Sequence, residues 1–121
     1  MNIGRVVPDI RSKQMDESRA FYVDFLGFNV AMDMGFITTF VSPSNPTSQI
    51  SVLLDDGSSA LLPNVSIEVE DIDKIYADAM GRGLEIPYPL TDEPWGVRRF
   101  FVVDPSGTIL NIMSHVPPTA R

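Results

Sequence analysis

One helix pattern occurs twice in this chain, and this repeat limits the possible folds more than any other feature. The stretch "RAFYVDFLGF" is echoed by "DKIYADAMGRG". A tyrosine, an aspartate and a glycine recur in the two copies with one offset, as Tyr22 and Tyr76 show (76 − 22 = 54). Glycine commonly ends helices. The repeat therefore predicts two copies of one structural unit.

Strand patterns surround the two helices in the same order. Val6 to Arg11 precedes the first helix, and "FNVAMDM", "FITTFVS" and "QISVLLD" follow it. "NVSIEVE" precedes the second helix, and "LEIPYPL", "RRFFVVD" and "TILNIMS" follow it. These runs are rich in β-branched and aromatic residues. The sequence predicts an α+β fold with two βαβββ modules, at about 5–55 and 62–115, in a single domain over residues 1–121. Pro8 predicts an edge or a break in the first strand.

Charge and composition restrict the partners. Sixteen acidic and nine basic residues give a net charge of −7, which argues against a nucleic-acid partner because phosphates would be repelled. The absence of cysteine excludes disulfides and thiolate sites, and it fits a reducing compartment. The start, "MNIGRVV", lacks the apolar core of a signal peptide, and no apolar run reaches the ~18 residues of a membrane span. We expect a cytoplasmic protein with no membrane partner.

Familiar catalytic motifs are missing from the sequence. There is no cysteine nucleophile, no Gly-x-Ser-x-Gly turn and no glycine-rich phosphate loop. Glu68 and Asp9 remain open as candidate general bases. The only histidine, His115, is expected to be a solvated residue that follows the last strand. We therefore predict no catalytic residues.

Three motifs carry a resemblance to a known family. They are "SRAFYVDFLGF", "IEVEDIDKIYADAMGRG" and "PWGVRRFFVVDPSGTILNI", and together they extend the likeness over residues 5–113. In order and spacing the chain resembles the vicinal oxygen chelate superfamily, which contains glyoxalases, extradiol dioxygenases, fosfomycin-resistance enzymes and bleomycin-resistance proteins. The resemblance implies paired βαβββ modules whose mixed sheet curls around a cleft. It also implies a homodimer.

Metal-dependent members of that superfamily carry ligands, commonly His, His and Glu, at positions that align with Val7, Asn64 and Asn111. Valine has no lone pair to donate, and a neutral amide is a weak ligand compared with imidazole or carboxylate. We therefore predict no metal and no cofactor. Asp9, two residues after Val7, is open as a displaced ligand or as a contact for a cationic substrate.

Strand alternation and the resemblance together predict the residues that line the cleft. Residues two apart along a strand share a face, so Ser66 and Glu68 accompany Asn64. The resemblance also implies that the side chain of Arg99 faces the cleft and that Trp95 lies near the cleft mouth. Phe100 and Phe36 are expected in the core. The predicted ligand-binding residues are Val7, Asp9, Phe40, Asn64, Ser66, Glu68, Trp95, Arg99, Phe101, Asn111 and Met113.

The motifs "VVP", "PWG" and "DPSG" resemble the bleomycin-resistance branch most closely. That likeness implies a metal-free protein that sequesters a bulky cationic molecule without chemistry, in an antibiotic-resistance role. An acidic chain would attract a cation, and aromatic rings would stack on it. We therefore expect a binding protein for an aromatic or cationic natural product. The alternative is an enzyme of the same superfamily, lyase-like or dioxygenase-like, with an atypical or absent metal.

Overall fold

The computed structural model describes residues 2–58 and 61–116 and has the predicted order of elements. The elements are β1 (Ile3–Ser12), α1 (Met15–Ala20), a π-helical segment (Phe21–Phe25), β2 (Asn29–Asp33), β3 (Ile37–Val41), β4 (Gln49–Leu54), β5 (Val65–Val69), α2 (Ile72–Gly81), β6 (Tyr88–Glu93), β7 (Val97–Val103) and β8 (Ile109–His115). Within the described residues this is an α+β fold of two βαβββ modules, which confirms the predicted fold class.

The chain divides into two compact units. The N-terminal unit is Val6–Leu62, and the C-terminal unit combines Met1–Arg5 with Pro63–Arg121. The boundary falls inside β1, so the first residues of that strand belong with the second βαβββ module. Two residues of this first stretch, Asn2 and Arg5, make hydrogen bonds with residues of the C-terminal unit.

The strands of the N-terminal unit lie in the order β2-β3-β4-β1. β1 is parallel to β4, and the other neighbours are antiparallel. Of the edge or break predicted at Pro8, the break is absent, because β1 continues through the proline. Its pairing with β4 begins at Asp9, directly after Pro8. Phe40 stacks on Tyr22 of the π-helical segment, with ring centroids 5.1 Å apart. This contact defines the helix-covered face of the sheet.

The first helix differs from the uninterrupted helix that the sequence predicts. The α-helical hydrogen bonding ends at Ala20 and a π-helical segment follows, in which the Leu26 amide donates to the Phe21 carbonyl at 3.1 Å. Gly27, with a φ of 84°, then ends the helix as expected. Phe36, which was expected in the core, is 46% exposed because it lies in the turn before β3.

The strands of the C-terminal unit lie in the order β5-β8-β7-β6, with β5 and β8 parallel. Phe100, which is fully buried, packs with its ring 5.0 Å from Tyr76 of α2, as predicted for a core residue. α2 begins at an N-cap aspartate, Asp71, whose carboxylate accepts from the Lys74 amide at 3.3 Å. The buried residues of this core are Val69, Ile72, Ala79, Phe100, Val102 and Ile112.

Strand β6 begins later than the pattern "LEIPYPL" predicts. The Glu85 carbonyl accepts from the Val103 amide at 3.0 Å, but regular pairing starts only at Tyr88. Pro87 and Pro89 have no backbone N–H to donate, which delays and disrupts the ladder. The strand instead continues to Glu93, and this extension adds a buried carboxylate that the sequence analysis did not anticipate.

None of the helices in the part of the chain that the structure describes is long and apolar enough to cross a membrane.

Candidate functional site

Strand register brings several predicted residues of the C-terminal unit onto one face of its sheet. Ser66 lies opposite Asn111, and Asn111 lies opposite Phe101. In the next row Glu68 lies opposite Met113, which lies opposite Arg99. The alternate residues of these strands pack in the core with α2, so this set faces away from the helix. We call it the polar face: Ser66, Glu68, Tyr88, Glu93, Arg99, Phe101, Asn111 and Met113.

Three aromatic rings surround the guanidinium group of Arg99. Its Cζ atom lies 5.3 Å from the ring centroid of Tyr88, 5.2 Å from that of Trp95 and 5.0 Å from that of Phe101. All three distances are within the range of cation–π attraction. Trp95 comes from the turn between β6 and β7, and the other two rings come from those strands. We call Tyr88, Trp95 and Phe101 the aromatic box.

A buried carboxylate balances the charge in the aromatic box. The Nε of Arg99 donates to Oε2 of Glu93 at 2.6 Å, and the hydroxyl of Tyr88 donates to the same oxygen at 2.8 Å. Glu93 is only 9% exposed. Glu93 and Tyr88 were not among the residues predicted from the sequence. Only the pairing of β6 with β7 shows that these two residues lie beside Arg99, because it places Tyr88 opposite Phe101 and Glu93 opposite Val97.

Asn111 contributes a buried polar atom that the protein leaves unsatisfied. Its Nδ2 donates to the Ser66 hydroxyl at 3.0 Å, and the residue is 7% exposed. Its Oδ1 is the one fully buried side-chain nitrogen or oxygen without a hydrogen bond among the residues described. Reversing the amide would exchange the two atoms and still leave one unsatisfied. Buried polar atoms in proteins nearly always have a hydrogen-bond partner, so this oxygen is an exception.

At the other edge of the polar face, Glu68 is held by two cationic or basic groups. Its Oε1 lies 3.3 Å from Nε of Arg5, and its Oε2 lies 3.1 Å from Nε2 of His115. A Cβ atom on Gly4 would come within 2.8 Å of Glu68 Oε1, so glycine allows this approach. His115 is the last residue of β8, not a residue beyond it, although it is exposed as expected.

The three positions that align with metal ligands do not fit a metal. Val7 is buried and aliphatic. Asn64 is exposed, and its Oδ1 accepts from the Ile109 amide at 3.0 Å, so it serves the local backbone. Asn111 offers one neutral amide. Within residues 2–58 and 61–116, no three His, Cys, Asp or Glu side chains are grouped to hold an ion. The donor set is therefore unsuited to the His/Glu metal chemistry of the superfamily.

The remaining predicted residues belong to the N-terminal unit and separate onto two faces of its sheet. Asp9 lies opposite Ser51, whose hydroxyl is 2.8 Å from that of Thr39 on the next strand. Phe40 points to the opposite side, where it packs against Tyr22. Phe40 therefore belongs to the helix-covered core of its unit, and we leave it out of the candidate site.

Arg98 provides a contrast with its neighbour Arg99. It lies on the α2 side of β7 and donates at 2.9 Å to Asp73 of α2 and to Asp92 of β6. The hydrogen bond with Asp92, more than that with Asp73, raises the pKa of Arg98 above its ordinary value. All of its strong partners are exposed surface carboxylates. It is a natural control for substitutions of Arg99.

A surface depression of about 390 Å³ lies at the start of α2, away from the polar face. Its polar groups are occupied by local structure, because the Asp71 carboxylate caps the helix and Glu70 accepts from Asn2 at 2.5 Å. It is lined by Asn2, Glu70, Asp71, Lys74, Ile75 and Asp78. The polar face is therefore the stronger candidate site.

Comparisons with known proteins agree with the fold. The family model for the glyoxalase/bleomycin resistance protein/dioxygenase superfamily matches residues 2–112. No curated protein matches the sequence. A superfamily member from Vibrio splendidus 12B01 is 20% identical, with 93% of this chain and 99% of that chain covered and a TM-score of 0.70.

Two other solved structures carry the names of different enzymes. Methylmalonyl-CoA epimerase from Mycobacterium tuberculosis is 15% identical, with 98% of this chain and 90% of that chain covered and a TM-score of 0.73. An NAD-dependent benzaldehyde dehydrogenase from Legionella pneumophila is 17% identical, with 91% and 98% covered and a TM-score of 0.69. At these identities the likeness shows a shared fold alone. By its family match and its fold, the chain belongs to the glyoxalase/bleomycin resistance protein/dioxygenase superfamily.

Proposed function

We propose that this chain is a metal-free protein that binds a small aromatic molecule on the polar face and sequesters it without chemical change. An antibiotic is the kind of ligand that the resemblance to bleomycin-resistance proteins suggests. The observation that carries the proposal is the buried Oδ1 of Asn111, which has no hydrogen-bond partner among the residues described. A ligand that donates a hydrogen bond there would supply the missing contact.

Leaving the Oδ1 of Asn111 without a hydrogen bond has an energetic cost. A buried polar group without a partner costs about 1–3 kcal/mol of stability. The fold carries this cost next to Phe101 and Ser66, which both lie opposite Asn111 on the flanking strands. An apolar residue there would avoid the cost. Retaining the amide is therefore consistent with a role in binding.

The aromatic box supports an aromatic ligand better than a cationic one. Three rings and a carboxylate would suit a cation, but Arg99 already occupies that position. A second cation cannot take the same position between the rings and Glu93, because the guanidinium fills it. Aromatic rings, in contrast, stack well on a guanidinium plane. Of the two ligand types expected from the sequence, the aromatic one has support from the geometry.

Homodimer formation is part of the proposal and is carried by the resemblance alone. Sedimentation velocity at several protein concentrations would test it. A monomer at all concentrations would remove the dimer from the proposal without touching the binding site, because every contact of the polar face described above lies within one chain.

Calorimetry and thermal shift would test the proposed binding against bleomycin-type glycopeptides and a panel of aromatic natural products. The chain has one tryptophan, Trp95, at the edge of the aromatic box, so its fluorescence gives an independent signal. We expect saturable binding that Asn111→Leu weakens and that Arg98→Gln leaves unchanged. An absence of saturable binding over the whole panel would refute the proposal.

One contact favours a second candidate, a metal-independent enzyme. Oε2 of Glu68 and Nε2 of His115 are 3.1 Å apart, which places two proton-transferring groups beside the polar face. Turnover of hemithioacetal or catechol substrates that persists with a chelator and is lost in Glu68→Gln would establish this candidate. Turnover that the chelator abolishes would instead indicate a metal enzyme, against the donor set described above.

A further inference from the structure

We infer that the ligand of the polar face carries a carboxylate, bound by the terminal amino groups of Arg99, together with a hydrogen-bond donor for Oδ1 of Asn111. This inference rests on the proposed function and narrows it to a class of ligand. It replaces the cationic ligand that the acidic composition first suggested with an aromatic hydroxy or amide acid. Its basis is the set of hydrogen-bonding groups that the polar face leaves unused.

The side chain of Arg99 makes only one hydrogen bond within the described residues. Its Nε donates to Glu93, but its two terminal amino groups contact no acceptor in residues 2–58 and 61–116. The side chain is 16% exposed, so a solute can reach it. A guanidinium group offers five donors in a planar fork whose edge matches the two oxygens of a carboxylate. That edge is available here.

The rings hold the guanidinium in place for such a contact. Tyr88, Trp95 and Phe101 surround its Cζ at 5.0 to 5.3 Å, and Glu93 fixes Nε at 2.6 Å. An arginine held in this way loses less conformational entropy when it binds than a mobile surface arginine would. The same rings offer apolar surface to the organic part of the ligand.

Arg99 and Asn111 are close enough to bind one small molecule. Arg99 lies opposite Met113, and Asn111 is two residues before Met113 on the same face of β8. The backbones of such diagonal neighbours in an antiparallel pair are about 7–8 Å apart. A ligand with a carboxylate and a hydroxyl or amide N–H on adjoining carbons can therefore contact both side chains, with an aromatic ring beside them.

The negative charge of the protein does not prevent this recognition. The net charge is −7, but charges more than about 8 Å away are largely screened at physiological ionic strength. The two carboxylates of the polar face, Glu93 and Glu68, are already paired. Glu93 is hydrogen-bonded to Arg99 and Tyr88, and Glu68 is paired with Arg5. The bound carboxylate would therefore face the open edge of the guanidinium and not an unpaired acid.

Three probes of nearly equal shape test the inference with the unaltered protein. Mandelate, mandelamide and 2-amino-1-phenylethanol share a phenyl ring and a hydroxyl group, and they carry a negative, a neutral and a positive group respectively. We expect calorimetry to give mandelate an affinity at least about tenfold above that of the amide, a difference of about 1.4 kcal/mol. Phenylacetate, which lacks the hydroxyl, should bind about tenfold more weakly than mandelate.

Substitutions of Arg99 and Glu93 test whether the preference for mandelate over mandelamide depends on Arg99. The double variant Arg99→Gln/Glu93→Gln removes both charges together, so it avoids an unpaired buried carboxylate, and it should bind mandelate and mandelamide equally. Arg99→Lys keeps the charge without the fork and should lose most of the preference. Arg98→Gln, on the α2 side of the same strand, should keep it. Circular dichroism would confirm that each variant is folded.

The outcomes separate this inference from the proposed function. Saturable binding with equal or greater affinity for the amide or the amine would refute the carboxylate inference and leave the aromatic binding site intact. A carboxylate preference that survives in the double variant would also refute it, because another cation would then hold the acid. No binding of any aromatic probe or natural product would refute both proposals.

Discussion

The Nε of Arg99 donates to Oε2 of Glu93 at 2.6 Å, between strands β7 and β6 and inside a box of three rings. Both side chains are largely buried, with 16% and 9% exposure. A buried pair of this kind gains attraction but loses hydration, so its net contribution to stability is small. Removing one partner is different, because the other charge then stays buried without compensation.

Replacing Arg99 with methionine should therefore destabilise the protein by about 3–5 kcal/mol, because Glu93 would remain as an uncompensated buried charge. The double variant Arg99→Met/Glu93→Leu should recover most of that loss. Urea unfolding followed by circular dichroism would measure both. Arg98→Met is the control and should cost only about 0–1 kcal/mol, since its carboxylate partners are exposed. Equal losses for the two arginines would contradict the assignment of a buried pair.

Asn111→Leu should separate stability from binding. The substitution removes a buried oxygen that has no partner, but it also breaks the hydrogen bond from Nδ2 to the Ser66 hydroxyl. We expect these two effects to offset each other, so that the free energy of unfolding changes by no more than about 1 kcal/mol. Ligand binding should fall at the same time. Ser66→Ala is the matched control, because it removes the acceptor of Asn111 Nδ2 and should cost about 1–3 kcal/mol. If Asn111→Leu is the more destabilising change of the two, the amide is a structural requirement and not a binding group.

Trp95→Ala should weaken binding of an aromatic ligand by about 1–3 kcal/mol if the ring is an anchor of the interface. The measurement must be calorimetric, because this variant loses the only tryptophan of the chain. Phe25→Ala is a suitable control, since Phe25 is 73% exposed and lies in the N-terminal unit. A loss of affinity as large in Phe25→Ala would show that the effect is not specific to the aromatic box.

Much of the fold was accessible from the sequence because periodicity and turn residues act locally. The alternation of "NVSIEVE" put Ser66 and Glu68 on one face of the strand, and in the structure they lie on the side away from Ile67 and Val69, which pack with α2. The repeated helix ending correctly predicted two modules of the same order. Local patterns of this kind depend on the direction of side chains along one strand or helix. That direction repeats with a fixed period, so it can be read from the sequence.

The parts that could not be predicted depend on pairing between strands. The partnership of Glu93 with Arg99 requires β6 to extend past Asp92 and to pair with β7, and neither is visible in the pattern around Pro87 and Pro89. Phe40, which was predicted to bind the ligand, also depends on tertiary contacts, because period two allows either face of β3 and the stacking with Tyr22 places the ring on the helix-covered face.

Backbone hydrogen bonding also makes the first helix differ from the regular α-helix that was predicted. The π-helical segment Phe21–Phe25 has the apolar spacing of an α-helix, so periodicity does not reveal it. A π-helical segment needs one extra residue in a turn, a property of the hydrogen-bond ladder and not of the side chains. The repeat with the second helix, which is regular from Ile72 to Gly81, concealed this difference.

Lowering the pH should show how much the turn between β7 and β8 contributes to the free energy of unfolding. Oδ1 of Asp104 accepts from the Ser106 amide at 2.8 Å, from the Ser106 hydroxyl at 2.6 Å and from the Thr108 amide at 2.9 Å. The Ser106 hydroxyl, followed by the backbone amides of the turn, lowers the pKa of Asp104 below its ordinary value of 3.8. The carboxylate thus stabilises the folded state when it is ionised.

The sign of the pH effect follows from that lowered pKa. The stabilisation is fully present above pH 3.8, the ordinary value, and is lost as the pH falls below it through the value in the folded protein. Asp104→Asn should be less stable than the unaltered protein at neutral pH, and the difference should become smaller as the pH falls below 3.8. Urea unfolding from about pH 7 to about pH 3 would measure this convergence. A difference that stays constant over that range would mean that the side chain acts through its shape and not through its charge.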